Sequence, residues 1–281
     1  GQGHETTYID LVSERLGVEA DLFDYIQANT FEVRLGSGHG GARSMHMGAA
    51  TMILAVEEVI GKAKGVAAVL LQAEIDELSF KNGSFTSGSG NRSVTLKEVA
   101  IAARDTRIAP HLEGMGLDTF TKRENAPFTF PNGCHAAEVE IDPETGSVTL
   151  IKYIMVDDYG SLVNPVLTEG QLHGGVAQGI GQALMEFVSF DENTGQLLSG
   201  SLMDYTLPRA AMLPNFEATL AGAPTKANVL GVKGVGQAGC IAAPQTIVHA
   251  VLNALSPLKI IHLDMPLTSQ SIWRAISASR A

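Results

Sequence analysis

The chain has 281 residues, with 19 basic and 30 acidic side chains and a formal net charge of −11, which excludes a general nucleic-acid binder relying on Lys and Arg to neutralise phosphates. Hydrophobic residues make up 45% and charged residues 17%, so the chain can bury a core and is not of the disordered class. Its two cysteines, Cys134 and Cys240, cannot form a disulfide framework or hold a [2Fe–2S] cluster, which normally takes about four thiolates; any iron–sulfur centre must sit on another chain.

The eight histidines form no HExxH, and there is no Cys-x-x-Cys, so no metal ligands are assigned. No signal peptide and no uncharged apolar run near ~20 residues stand out; the expected protein is cytoplasmic, with neither membrane nor nucleic acid as a partner. The chain opens at Gly1 within a polar motif, and is expected to be a fragment of a longer chain or a natural split subunit.

Residues 6–16 carry Tyr8, Ile9, Val12 and Leu16 at helical spacing, with Thr7 and Asp10 placed like a capping box and Gly17 as the stop. FEVRL, residues 31–35, alternates like a strand and runs into the glycine loop Gly36 to Ser44; Met47 to Lys64 then reads as an amphipathic helix, and only a dinucleotide-binding reading of that loop takes GVAAVLL, residues 65–71, as the following strand. A polar hairpin is expected around Asn82-Gly83, followed by a surface excursion through Ser87 to Gly90. His135 to Ile141 and Ser147 to Val156 alternate on either side of Asp142-Pro-Glu-Thr-Gly146 and predict a second hairpin. Residues 169–184 have helical spacing despite Gly174, Gly175, Gly179 and Gly181. Each glycine costs a helix about 1 kcal/mol relative to alanine, so close packing or a ligand must require the bare backbone. A last amphipathic helix is expected from near Pro244. Strands, hairpins and helices in this order predict an α+β fold, a single domain over 1–281 with possible sub-lobes 1–125 and 126–281.

Three glycine-rich loops, Gly1 to His4, Gly36 to Ser44 and Gly231 to Gly239, offer successive backbone N–H groups that can form anion nests. Together they point to a phosphorylated cofactor. Gly36-x-Gly-x-x-Gly41 also matches the dinucleotide fingerprint, leaving a nicotinamide oxidoreductase as an alternative, but GVAAVLL is followed by Gln72 rather than by the ribose-binding acid. Each cysteine reads as a packed residue before a nucleophile; Cys134 and His135, adjacent on a strand, face opposite ways. His173 is either a core histidine or a site residue. Gln2, Gln178 and Gln237 lie beside glycines, where an amide can pair with a heterocycle.

GQGHET, GSGHGGARS, FPNGCHAAEVEIDPETG, LVNPVLTEGQLHGGVAQGIGQALMEF, GQLLSGSLMDYTLPRA and GVKGVGQAGCIAAPQTIVHAVLNAL together resemble the molybdenum-cofactor subunit of the xanthine dehydrogenase, aldehyde oxidase and carbon monoxide dehydrogenase family, over nearly the whole chain. The resemblance implies the second molybdopterin-binding lobe of the molybdenum hydroxylase fold, mixed sheets with packed helices, from the C-terminal half of the large subunit. It implies a molybdopterin, in its cytosine dinucleotide form, held by Gln2, Gly3, Gly41, Ala42, Arg43, Ser44, Cys134, Gln178, Lys233, Gly234, Val235 and Gly236. It further implies a hetero-oligomer with the N-terminal molybdopterin lobe, a small Fe–S subunit and an FAD subunit, oxidising an aldehyde, N-heterocycle or carbon monoxide with water as the oxygen source. At the family's glutamate base this chain has Gln237, which has no carboxylate to take a proton. That departure keeps open a non-catalytic cofactor-holding or assembly subunit; Glu169 and Glu186 are the acids available as substitutes.

Overall fold

The computed structural model describes residues 1–36, 38–88, 92–123 and 126–280. Ser37 of the dinucleotide-like motif, Ser89 and Gly90 of the expected surface excursion and Asn125 at the expected sub-lobe boundary lie outside them. The chain divides into two units: Gly3–Phe128 with Gly1 and Lys226–Leu230, and Thr129–Thr225 with Gln2 and Gly231–Ala281.

In the first unit, helix α1 (His4–Leu16) ends at Gly17 in the left-handed region, as the glycine stop predicts. It begins two residues earlier than expected, after Gly3, so Thr7 and Asp10 lie inside the helix and make no capping box. Residues 31–35 are not a strand. Asn29 organises turns there, its carbonyl accepting from the Glu32 and Val33 amides and its side chain from Phe31 N. Phe31 stands almost wholly exposed, because an alternating pattern makes a strand only when a neighbour pairs with it. A π-helical turn (Ser44–Ala49) leads into α2 (Ala50–Leu71). That helix includes GVAAVLL, whose Val66, Ala67, Ala68 and Leu71 are buried. A short apolar run does not distinguish a buried strand from a buried helix. Without strands at 31–35 and 65–71, the Gly36–Gly41 loop has no βαβ setting and the nicotinamide reading loses its frame.

The first hairpin forms as expected. β1 (Ser79–Lys81) and β2 (Ser84–Thr86) turn on Asn82 and Gly83, both at positive φ, and β3 (Ser93–Thr95) adds antiparallel to β2. Thr95 and Glu98 form a reciprocal capping box on α3 (Leu96–Ala102). Phe85, Val99, Val66 and Ala63 share the core of this unit. Thr95→Ala removes the cap and is expected to cost about 1 kcal/mol, read as a lower denaturation midpoint with an unchanged slope.

In the second unit, β4 (Asn132–Ile141) and β5 (Val148–Asp158) form the expected hairpin, and β6 (Phe216–Leu220) pairs parallel to β5. At the turn, Asp142 accepts from Glu144 N and from the Thr145 hydroxyl, and Gly146 supplies the positive φ. α4 (Pro165–Leu184) starts on an Asn164 cap with Pro165 in its first turn.

α5 (Ala238–Leu255) begins six residues before Pro244, correcting the expected start. Pro244 cannot donate to Cys240 O, and that carbonyl faces Gly179 of α4. The run Ala238–Leu258 corrects the expectation of no uncharged apolar stretch near ~20 residues, since it is long and apolar enough to cross a membrane by length and composition. Here it is a core helix, with Ala243, Ile247 and Val251 fully buried beside Leu172, Val176 and Ile180 of α4. A further helix, α6 (Ser269–Arg280), closes this core through Ile272 and Ile276; no sequence signal was read there.

The glycines of α4 divide by their surroundings. A Cβ at Gly179 would sit 2.6 Å from Ala243 Cβ, and one at Gly175 would sit 3.0 Å from Cys240 N, so these two exist for contact with α5. Gly170 and Gly174 are exposed and meet nothing within 4 Å.

Candidate cofactor site

His4 and Tyr8 of α1 meet His39 and Ser44 of the second glycine loop in the first unit. His4 stacks on Tyr8 with ring centroids 5.5 Å apart, His39 lies 5.9 Å from His4, and His39 Nδ1 hydrogen-bonds the Ser44 hydroxyl. The Tyr8 hydroxyl donates to Ser44 O at 2.6 Å. Burial, aided by the nearby Tyr25, pushes that phenol up to about 12, so it remains a donor. Gly48 admits it, since a Cβ there would lie 2.6 Å from Tyr8 Oη.

The backbone of the second loop is shaped for an anion. Gly38, Gly41 and Ala42 have φ of 67°, 59° and 53°, and Arg43 returns to the right-handed region at φ −85° and ψ −4°. This change of hand between successive residues turns neighbouring N–H groups toward one concavity, at the mouth of a long helix whose dipole favours negative charge. Ala42 costs about 1–2 kcal/mol in that conformation, a strain of the kind held at ligand sites. A Cβ at Gly38 or Gly41 would meet nothing, so the glycines serve conformation, not packing. Within the π turn, His46 is buried and its Nδ1 has no hydrogen-bond partner among the described residues. Burial first, then the Arg123 and Arg43 guanidiniums, hold this imidazole below its ordinary value. Arg43 also donates to Gly38 O at 3.0 Å. Positive charge and convergent amides form a donor set suited to phosphate. The sequence marks Tyr8 only as part of a helical face and gives no site signal for His46 or Arg123; the His and Arg beside the glycine loop mark the place, and Arg123 is remote in sequence.

In the second unit, Cys134 is exposed near the start of β4, opposite Val156, and His135 points inward as the strand alternation predicts. The His135 imidazole bridges the Tyr153 hydroxyl at 2.8 Å and the Asp157 carboxylate at 3.1 Å. Burial above all, with the Asp157 charge adding and a Thr246 hydrogen bond opposing, pushes Tyr153 up to about 12. Gln178 is exposed on α4. Lys233 is engaged: its ammonium pairs with Asp158, whose carboxyl is held low first by that hydrogen bond. Gly234 is buried, and Val235 packs on the core. Gly236 and Gln237 are exposed, with Gln237 capping α5 through its carbonyl, which accepts from Cys240 N and Ile241 N.

Of the two acids available as substitutes, Glu186 is engaged by a hydrogen bond and Glu169 is exposed. Glu186 accepts from the Tyr205 hydroxyl and lies against Gly181. Glu169 stands 3.8 Å from His173 one turn along α4, and the His173 ring packs edge-on against Phe216.

The family model of the molybdopterin cofactor-binding domain matches residues 1–214. The chain is 31% identical over 277 residues to the carbon monoxide dehydrogenase large chain of Hydrogenophaga pseudoflava, covering 98% of this chain and 34% of that one. It is 34% identical over 279 residues to the nicotine 6-hydroxylase large subunit of Paenarthrobacter nicotinovorans, again covering 98% and 34%. The crystal structure of the Cu,Mo-CO dehydrogenase in its carbon monoxide-reduced state matches with a TM-score of 0.90 at 30% identity, over 100% of this chain and 35% of that chain. The chain thus spans about a third of the length of these curated relatives, and its α+β architecture is that of the molybdenum hydroxylase large subunit. Both the matched domain and this fold place the protein in the molybdopterin cofactor-binding domain family, similar to a region of the carbon monoxide dehydrogenase large chain and of the xanthine dehydrogenase molybdenum-binding subunit.

Proposed function

We propose that this chain is the molybdopterin-holding part of a molybdenum hydroxylase large subunit. The observation that carries the reading is the Gly41–Ser44 cradle, with Gly41 and Ala42 at positive φ and Arg43 beside it. Amides, Arg43 and Arg123 suit a phosphate or pyrophosphate, as in a cytosine dinucleotide form, and the exposed Gln2 and Gln178 can pair with a heterocycle edge. When bound, the cofactor supplies a two-electron redox centre for oxidising an aldehyde, N-heterocycle or carbon monoxide with water as the oxygen source. The chain's own residues bind and orient it. Relatives named for carbon monoxide and for nicotine share this region to similar extents, which supports cofactor holding as its task, with substrate choice made by other parts of the subunit. With Cys134 and Cys240 as its only thiols, electrons leave through Fe–S and FAD carried by partner subunits.

Gln237 supports a second reading, a cofactor-holding subunit without turnover. Molybdenum by elemental analysis, with pterin quantified after oxidation, tests the first reading on the complex purified from its native source with subunits together. The expected result is near-stoichiometric metal and pterin per chain, and an intact complex lacking both overturns it. Metal without turnover on any of the three substrate classes selects the second.

A further inference from the structure

β5 ends in two consecutive carboxylates that face opposite ways. Asp157 points inward. It accepts from His135 through both oxygens, at 3.1 and 3.3 Å, and lies so close to Gly133 that no Cβ would fit there. The residue between Gly133 and His135 is Cys134, whose main chain is therefore gripped on both sides. Asp158 points the other way. It pairs with the Lys233 ammonium, accepts from Gly160 N at 2.8 Å and from the Ala223 amide, and leaves no room for a Cβ at Gly222. Lys233 is tied by its main chain as well, donating from N to Tyr159 O at 2.8 Å beside a Gly160–Val232 bridge. Only three residues separate Lys233 from Gln237.

We propose that Asp157 and Asp158 are positioning residues that hold the Cys134 strand and the Lys233–Gln237 loop in one fixed relation, and that Lys233 serves as the anchor of that loop instead of as a phosphate ligand. The reasoning is one of availability. The Lys233 side chain is 13% exposed and Asp158 already takes its ammonium, so contacting a phosphate would first require breaking this ion pair and leaving Asp158 with only its backbone donors. The cradle at Gly41–Ser44 already provides donors for phosphate. Lys233 therefore fixes where Gly236 and Gln237 stand, and the inference rests on the cofactor-holding reading only for what that placement serves.

The test uses the assembled complex carrying the full chain with Lys233→Met, Asp158→Asn, the double variant and Lys233→Arg. Amide hydrogen exchange of residues 234–237 is read alongside molybdenum and pterin content. An anchor predicts that each single neutral variant raises exchange in the loop about tenfold or more, lowers cofactor content equally, and is no worse when combined. Lys233→Arg, which keeps the ion pair, restores both readouts. A phosphate ligand predicts instead that Lys233→Met loses cofactor while loop exchange is unchanged, and that Asp158→Asn retains it; that pattern overturns the proposal. Exchange in the β4–β5 hairpin at 138–150 reports global unfolding, and if the neutral variants lose it, the decision passes to Lys233→Arg, which must keep loop protection. Wild-type complex without pterin refutes the cofactor reading, whereas the exchange pattern still decides the anchor.

Discussion

Replacing Gln237 by glutamate in the assembled complex is expected to raise turnover by about 10²–10⁴-fold, the usual worth of a positioned general base. The side chain is exposed at the first turn of α5 and makes no side-chain cap, so a carboxylate of nearly the same shape can be accepted there without breaking a contact. The helix mouth favours its negative charge. Of the other acids considered, Glu186 is bonded to the Tyr205 hydroxyl, and Glu169 lies on α4 beside His173. Rates with an aldehyde, an N-heterocycle and carbon monoxide, each measured at saturating and at limiting concentrations, provide the check. An increase in kcat with KM little changed locates the gain in the proton-transfer step. Equal rates for the parent complex and the Gln237→Glu variant on all three would remove this position as the reason for impaired turnover and favour the reading without catalysis. The Asp158–Lys233 anchor makes this substitution interpretable, since it sets the loop independently of what residue 237 carries.

Most of the architecture was legible where short-range rules act alone. The β4–β5 hairpin follows from strict alternation and a turn whose Asp142 and Gly146 each have one required task. Gly17 ends α1 as a left-handed cap. The failures share a cause, which is that the deciding partner is distant in sequence. FEVRL alternates but no strand pairs with it, whereas GVAAVLL is helical because α2 carries it along one buried face. The start of α5 was missed because Pro244 reads as a beginning, yet α4 packs against both turns around it. In the site, the glycine loops identified where an anion could sit. They did not reveal that Ala42 is strained, that Arg123 acts on His46, or that Asp158 engages Lys233. Two adjacent aspartates at the end of an apolar strand were the available signal for the last of these. One carboxylate at a strand end is ordinary, but two on opposite faces require two partners.

The glycines of α4 give a prediction whose sign changes within one and a half turns of the same helix. Gly179→Ala is expected to destabilise the chain by about 1–3 kcal/mol through overpacking. The added methyl would sit 2.6 Å from Ala243 Cβ, 2.9 Å from Pro244 Cδ and 3.3 Å from Cys240 O. None of these is the far end of a flexible side chain, so α4 and α5 must move apart along a core containing Leu172, Val176, Ile247 and Val251. Gly174→Ala meets nothing within 4 Å and is expected to stabilise the helix by up to about 1 kcal/mol, the ordinary difference between the two residues in a helix interior. Chemical denaturation of both variants beside the parent protein gives the comparison. Equal destabilisation would mean that Gly174 has a packing role, and a neutral Gly179→Ala would mean that the two helices lie further apart than described. The same pair bears on what covers the exposed face with Gly170, Gly174 and Gln178. A cofactor lying along that face predicts a Gly174→Ala protein that is more stable to denaturant yet holds less molybdenum. A more stable protein with full molybdenum would assign the bare backbone at Gly174 to something other than the cofactor, because neither intramolecular packing nor the ligand would then require it.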